Sequence, residues 1–179
     1  MLLVHTCCGP CAITVFQTLL ARGEEIKGFY YNPNIHPLTE YLRRKEALGL
    51  VASRLGVDVS FADAQYDPTV FLRQAAFREK ERCPSCYALR LDRTAREAGR
   101  LGVEGFTTTL LYSKYQNHEA IRAAGEEASR MHGVAFAYED FRPGWDEGVR
   151  LAKEWDLYRQ PYCGCIYSEF DRYRKKLSR

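Results

Sequence analysis

Short apolar runs alternate with amphipathic segments along most of this chain. The apolar runs are typical of buried strands and cover residues 2–5, 26–31, 57–61, 106–109 and 134–137. Apolar residues at helical spacing predict helices over residues 12–21, 38–55, 68–76, 84–98 and 119–131. Gly23 and Gly56 follow the first two helices, as helix-ending glycines do. This alternation predicts the α/β class, with a parallel sheet covered by helices on both faces.

The chain shows no sign of an internal boundary. Its 179 residues contain no repeated or Pro/Ser-rich segment, so we expect one domain over residues 1–179. Apolar runs such as residues 1–4 are too short to span a bilayer, and the N-terminus lacks the order of a signal peptide. We therefore expect a cytoplasmic protein without membrane contact.

The charge is small but unevenly distributed. A net charge of +3 excludes a strongly basic protein. Basic residues nevertheless group at 43–45 and in a C-terminal tail that contains Arg172, Arg174, Lys175, Lys176 and Arg179. Such groups neutralise phosphates in nucleic-acid binding proteins, although a solvated helix face and a frayed end explain them equally well.

Seven cysteines carry the candidate chemistry, and they are grouped in three motifs: Cys7, Cys8 and Cys11, then Cys83 and Cys86, then Cys163 and Cys165. An odd number of cysteines in a cytosolic chain argues against a structural disulfide framework. It favours metal binding or redox chemistry instead. Because Cys7 and Cys8 follow the first strand, we expect the active site at the carboxyl end of the sheet.

The first two motifs together offer four thiolates. Cys83 and Cys86 lie at a predicted helix N-terminus and suit zinc, iron–sulfur or thioredoxin-like sites, and the helix N-terminus favours thiolate there. Adjacent cysteines such as Cys7 and Cys8 reach one centre only from a turn, and they fit structural zinc poorly. The spacing favours a [4Fe–4S] site on Cys7, Cys8, Cys83 and Cys86, with tetrathiolate zinc as the alternative.

The third motif has a single residue between its cysteines. A disulfide between Cys163 and Cys165 would be strained and easily reduced, which is typical of catalytic or regulatory pairs. Two additional metal ligands are the alternative interpretation.

Further motifs accompany the cysteines over nearly the whole chain. In order they are His5-x-Cys-Cys-Gly-Pro-Cys11, Tyr30–Pro37 with Glu40-Tyr41, Tyr66-Asp67, Arg82–Tyr87, Arg90-Leu91, Phe106–Leu110 and Tyr158–Cys165. Together these motifs resemble those of the QueH type of epoxyqueuosine reductase. The segment 142–148 lacks the lysine-rich stretch of many relatives, which concerns substrate binding rather than chemistry.

The resemblance implies a single HUP-like (Rossmann-like) domain that reduces epoxyqueuosine to queuosine at the wobble position of tRNA with a GUN anticodon. It implies a [4Fe–4S] cluster on Cys7, Cys8, Cys83 and Cys86, and a redox-active disulfide between Cys163 and Cys165. An external electron donor, whose identity the sequence does not give, must supply the electrons.

Further residues are candidates for the site. Cys11 and Asp67 are candidates for a second metal ion or for contacts around the cluster, although Asp67 suits a helix N-cap equally well. His5 and His36 are candidate proton donors, and we favour a structural role for His5 on its buried strand. Candidate substrate contacts are Asn32, His36, Tyr41, Arg43, Tyr112 and Arg159, with Arg44, Lys114 and Tyr115 as further candidates for phosphate or base contacts.

Two rival functions fit the sequence less well. A nucleotide-activating enzyme needs a glycine-rich phosphate loop after the first strand, where this chain has Cys-Cys-Gly-Pro-Cys. A non-catalytic, zinc-stabilised RNA-binding module explains four cysteines and the basic tail, but not Cys163 and Cys165.

Overall fold

A computed structural model describes residues 1–178; Arg179, the last residue of the basic tail, lies outside it. The strands of this part of the chain are β1 (Leu2–His5), β2 (Ile26–Tyr30), β3 (Val59–Phe61), β4 (Gly105–Thr108) and β5 (Ala135–Phe136). Its helices are α1 (Gly9–Ala21), α2 (Leu38–Leu55), α3 (Pro68–Ala75), α4 (Arg82–Leu101), α5 (His118–His132), α6 (Trp145–Glu154) and α7 (Ile166–Tyr173).

The five strands form one parallel sheet in the order β3-β2-β1-β4-β5, which confirms the predicted α/β class. Leu2 of β1 pairs with Ile26 on one side and with Gly105 on the other. The chain adds strands outward from β1 in one direction and then returns to add β4 and β5 in the other. The carboxyl ends of β1 and β4 therefore flank the point where open α/β sheets bind their ligands.

The helices form two groups on the sheet. Helix α1 packs against α2 and α6, and α4 packs against α5. Because crossovers between parallel strands are right-handed, helices that follow opposite directions of strand addition cover opposite faces. Leu3, Val4 and Phe106 lie fully buried between these layers. Within residues 1–178 we find no helix that combines the length and apolar character needed to span a bilayer.

The N-terminus of α1 lies unusually close to α2. A Cβ atom at Gly9 would lie 2.4 Å from the carbonyl oxygen of Ala47, a distance that only glycine avoids. This contact lets α1 begin at Gly9, three residues before the predicted start, and holds the cysteines of the first motif against the core.

Helices α6 and α7 were absent from the sequence-based prediction. Helix α6 buries only Gly148, Leu151 and Ala152, and α7 buries no residue. At 10 and 8 residues, both helices are shorter than the window of about 11–18 residues over which a helical period is recognised in a sequence.

Candidate active site

Cys7 and Thr109 join the ends of the two central strands. The backbone N–H of Cys7, just after β1, donates to Oγ1 of Thr109, just after β4, at 3.1 Å. The Thr109 hydroxyl in turn donates to Sγ of Cys7 at 3.4 Å. The first cysteine motif thus lies at the carboxyl end of β1, as the sequence predicted, and this is also the point where the direction of strand addition reverses.

The sulfurs of Cys7, Cys8 and Cys11, which we call the N-terminal triad, lie within 4.8 Å of one another. Cys8 is extended and precedes α1, and the first turn of the helix brings Cys11 back beside it. Hydrogen bonds from Cys11 and Cys8 lower the pKa of Cys7 well below its usual range. The triad therefore holds one favoured thiolate and two donating thiols, a set that can also bind a metal ion.

Cys83 and Cys86, the helix pair, lie in the first turn of α4 as predicted. Their expected shift toward thiolate is wrong. Burial raises the pKa of Cys86 to about 12, and burial followed by the nearby Cys163 raises the pKa of Cys83. The helix N-terminus does not offset the loss of water, so burial favours the thiol form of both residues, whereas a bound metal ion would favour the thiolate form.

Cys163 and Cys165, the C-terminal pair, have different environments. Cys163 is exposed, and the side-chain amide of Gln116 donates to its sulfur at 3.3 Å. Cys165 is buried, precedes α7, and packs with Phe71 and Cys86. Cys163 is therefore open to solvent, whereas Cys165 lies against Cys86 of the helix pair.

A buried ion pair holds the segment that carries the C-terminal pair. Nε of Arg44 donates to Glu40 at 2.7 Å, and its two terminal nitrogens donate to the carbonyls of Cys163 at 2.8 Å and Tyr162 at 2.9 Å. Tyr158 adds a hydrogen bond to the other oxygen of Glu40. Arg44, predicted as a phosphate contact, is instead buried and fully bonded to protein, so that prediction is wrong.

Arg90 lies among sulfurs from all three motifs. Its side chain on α4 is buried, and Nε donates to the carbonyl of Cys86 at 3.1 Å. Burial opposes its charge, whereas the nearby Cys86, Cys163 and Cys7 favour it and raise its pKa overall. One terminal nitrogen, Nη2, has no hydrogen-bond partner.

A cavity of about 380 Å³ opens beside these groups. Its walls come from the N-terminal triad, the segment of the C-terminal pair, the loop after β4 and the basic C-terminal segment, whereas the helix pair does not line it. They include Cys7, Cys11, Cys163, Arg44, Arg90, Thr109, Gln116, Gln160, Tyr115, Trp145, Tyr162 and Arg172. This size is sufficient for a small organic ligand such as a modified base.

Several predicted contact residues have structural roles and do not line this cavity. Asn32 donates to the carbonyl of Thr6 at 2.9 Å, and the Tyr41 hydroxyl donates to Asp63 at 2.9 Å. The His5 ring is fully buried and bonds to Thr108 and to the carbonyl of Tyr31, which confirms its structural role. The His36 ring is buried against Phe71, and burial lowers its pKa.

The other candidates lie nearer the surface or in caps. Arg43 is exposed and lies over the ring of Tyr158, while Arg159 is exposed. Asp67 caps α3 by accepting the N–H of Thr69 at 2.9 Å, the alternative role that the sequence allowed, and does not line the cavity.

Two aromatic candidates, Tyr112 and Tyr115, contact Trp145 in the cavity wall, and Tyr115 lines the cavity while Tyr112 does not. Tyr112 is buried, stacks on Trp145 and donates to its carbonyl at 3.0 Å. Tyr115 is 85% exposed and meets the same indole edge-on. The Lys114 ammonium lies 5.8 Å from the centre of the Trp145 ring. The edge of the cavity around Trp145 is therefore aromatic and positively charged.

Sequence reasoning missed Arg90 and Gln160 as site residues. Arg90 lies four residues after Cys86 and seven after Cys83, a spacing that places all three on one face of a helix. Gln160 lies within the last motif and donates to Sγ of Cys8 at 3.0 Å. The helical spacing was a usable signal for Arg90, whereas Gln160 depends on a contact between distant segments.

Comparison with known proteins gives one consistent family. The sequence profile of the family described as Epoxyqueuosine reductase QueH matches residues 2–171. The protein named Epoxyqueuosine reductase QueH from Thermotoga maritima is 37% identical over 181 residues, covering 97% of this chain and 92% of the relative. The protein of that name from Dehalococcoides mccartyi is 34% identical over 174 residues, covering 97% and 95%. That from Acinetobacter baylyi is 36% identical over 186 residues, covering 99% and 84%.

Proposed function

The chain belongs to the epoxyqueuosine reductase QueH family, and from this premise we propose that it reduces epoxyqueuosine to queuosine in tRNA. The target base would be the wobble nucleotide of a GUN anticodon. The observation that carries the proposal is that Cys7, Cys11 and Cys163, from the first and third motifs, line one cavity at the carboxyl ends of β1 and β4. Cys86 of the helix pair packs with Cys165, the other cysteine of the third motif. Removing the epoxide oxygen as water takes two electrons and two protons, which thiol and iron–sulfur chemistry supply.

In this proposal Cys7, Cys8, Cys83 and Cys86 would hold a [4Fe–4S] cluster. In its support, Cys7 after β1 and both Cys83 and Cys86 at the start of α4 lie near the same buried side chain, Arg90. The buried guanidinium of Arg90, which keeps an unpartnered N–H, suits an anionic group beside these sulfurs. The cluster, when bound, supplies single electrons. Cys11 would then contribute a neighbouring thiol or a ligand to an additional metal ion.

The C-terminal pair supplies a balanced source for the reduction. Oxidation of the two thiols of Cys163 and Cys165 to a disulfide releases two electrons and two protons, as many as the epoxide needs to become an alkene and water. Gly164, the residue between the two cysteines, has a φ of +144°. Residues with a side chain rarely adopt this backbone conformation, which glycine tolerates. A reductant outside the protein must return the disulfide to the dithiol after each turnover.

The cavity rim supports binding of an unstacked base. Tyr115 and Trp145 present aromatic faces, and single-stranded RNA loops are commonly bound by stacking of their bases on such rings. Arg172 in the cavity wall and Lys114 beside Trp145 supply positive charge for the flanking phosphates. The anticodon loop, which is single-stranded, fits this arrangement.

The direct test is an anaerobic assay on tRNA that contains epoxyqueuosine, with the reconstituted protein and a chemical reductant. We expect a nucleoside lighter by one oxygen atom, detected by mass spectrometry after digestion of the tRNA. A Cys163→Ser variant loaded with the same amount of iron should form no queuosine under the same conditions. Absence of product from a fully loaded unsubstituted protein would refute the proposed function.

A further inference from the structure

Arg90 is a buried cation without an acidic partner. Its side chain is 2% exposed, and no carboxylate of residues 1–178 forms an ion pair with it. Its one hydrogen bond to protein, from Nε to the carbonyl of Cys86, leaves Nη2 unpaired. By contrast, the buried Arg44 pairs with Glu40 and uses all its nitrogens.

A buried cation needs an anion beside it, and no carboxylate of residues 1–178 pairs with Arg90, so that anion comes from another kind of group. The groups around the guanidinium are the sulfurs of Cys86, Cys163 and Cys7, and Arg90 shares the central cavity with two of them. The anion therefore belongs to the sulfur-bound centre.

We propose that Arg90 is the counter-ion of the thiolate-bound iron–sulfur cluster and raises its reduction potential. This inference rests on the proposed function. A cluster with four thiolate ligands carries net negative charge and gains another negative charge when it accepts an electron. A fixed positive charge beside it stabilises the reduced form more than the oxidised form, so electrons enter at a higher potential. Arg90 would thus act on the reaction indirectly, by placing a positive charge beside the cluster.

The test compares variants of one helix in the reconstituted protein. Arg90→Gln removes the charge but keeps a side chain of polar character, and Arg90→Lys keeps the charge. Arg96→Gln is the matched control, since its side chain lies on the same helix and is 66% exposed. Iron and sulfide content are measured first, and the midpoint potential of the cluster is then determined by anaerobic titration followed by absorbance and electron paramagnetic resonance.

We expect Arg90→Gln to shift the midpoint potential to more negative values, while Arg90→Lys and Arg96→Gln remain close to the unsubstituted protein. A folded Arg90→Gln protein that fails to retain iron, with retention restored in Arg90→Lys, supports the same role. Equal potentials for Arg90→Gln and Arg96→Gln would overturn the inference and leave the proposed function intact. Absence of any cluster from the unsubstituted protein would instead overturn the proposed cofactor, and this inference with it.

Discussion

The side-chain amide of Gln160 donates a hydrogen bond to the sulfur of Cys8 at 3.0 Å, between residues 152 positions apart in the chain. The same nitrogen lies 3.8 Å from the sulfur of Cys11. Gln160 precedes Cys163 by three residues, so it links the segment of the C-terminal pair to the N-terminal triad. The structure thereby connects the proposed cluster ligands and the proposed dithiol through a single side chain.

Replacing Gln160 by Leu should lower turnover of epoxyqueuosine tRNA about three- to tenfold, because a hydrogen bond to sulfur is worth about 1 kcal/mol. The measurement is kcat/KM of the iron-loaded protein. Gln74→Leu is a suitable control, since Gln74 is exposed and lies outside the central cavity. Unchanged turnover in Gln160→Leu would show that the contact with Cys8 has no part in the reaction.

Replacing Arg44 by Met should destabilise the protein strongly. The substitution leaves Glu40 buried without its partner and frees the carbonyls of Tyr162 and Cys163. Breaking a buried pair costs about 3–5 kcal/mol, which lowers the unfolding midpoint by on the order of 10 °C in a chain of this size. Anaerobic thermal unfolding measures the change.

The matched control for Arg44 is Arg122→Met. Arg122 and Glu126 have the same i,i+4 spacing as the buried pair, but both are about half exposed. An exposed pair of this kind contributes about 0.5 kcal/mol, so the midpoint should hardly change. Similar losses in both variants would contradict the assignment of Arg44 as the anchor of this segment.

Strong local signals explain which parts of the fold the sequence predicted. Helix α2 occupies Leu38–Leu55 as predicted, because its apolar spacing is regular and Gly56 ends it in a left-handed conformation. The position of Cys7 followed from strand topology alone. Helix α7 was missed because its 8 residues are too few to show a clear helical period in the sequence.

The direction of long polar side chains could not be predicted in the same way. Arg43 and Arg44 are adjacent in the sequence, yet Arg43 is exposed and Arg44 is buried in an ion pair. The difference depends on which face of α2 packs against the C-terminal segment. Arg44 is separated in sequence from its partners Tyr162 and Cys163 by 118 and 119 positions. The roles of Arg44 and Gln160 therefore required tertiary structure.

Replacing Tyr115 by Ala should weaken tRNA binding. Tyr115 is the exposed ring at the cavity rim, and the loss of one base-stacking ring costs about 1–3 kcal/mol. We expect KM for tRNA to rise by roughly tenfold or more with little change in kcat. Tyr138→Ala is the control, because Tyr138 is partly exposed but does not line the cavity. An equal KM in both variants would exclude a stacking role for Tyr115.

His118 should contribute to the pH dependence of stability. Burial, followed by the nearby Arg142, lowers its pKa, while the neighbouring Asp140 and Glu119 oppose this shift. The folded state therefore takes up a proton less readily than the unfolded chain, in which histidine titrates near its ordinary pKa of about 6.5. The stability associated with neutral His118 is therefore complete above the unfolded-state pKa and is lost as the pH falls through the lower pKa of the folded state.

Unfolding midpoints of the unsubstituted protein and of His118→Gln, measured from about pH 7.5 downward, check this prediction. The difference between the two proteins should change steadily below about pH 6.5, with the unsubstituted protein losing stability faster. Parallel curves would show that His118 does not titrate differently in the two states.

Iron and sulfide analysis of single Cys→Ser variants after anaerobic reconstitution tests the central claim most directly. We expect about four irons per chain and a broad absorbance band in the unsubstituted protein. We also expect strong loss of iron in Cys83→Ser and Cys86→Ser, and retention in Cys11→Ser and Cys163→Ser. Full iron in Cys83→Ser together with loss in Cys11→Ser would place the metal on the N-terminal triad instead. A colourless protein that holds one zinc ion would contradict the iron–sulfur account altogether.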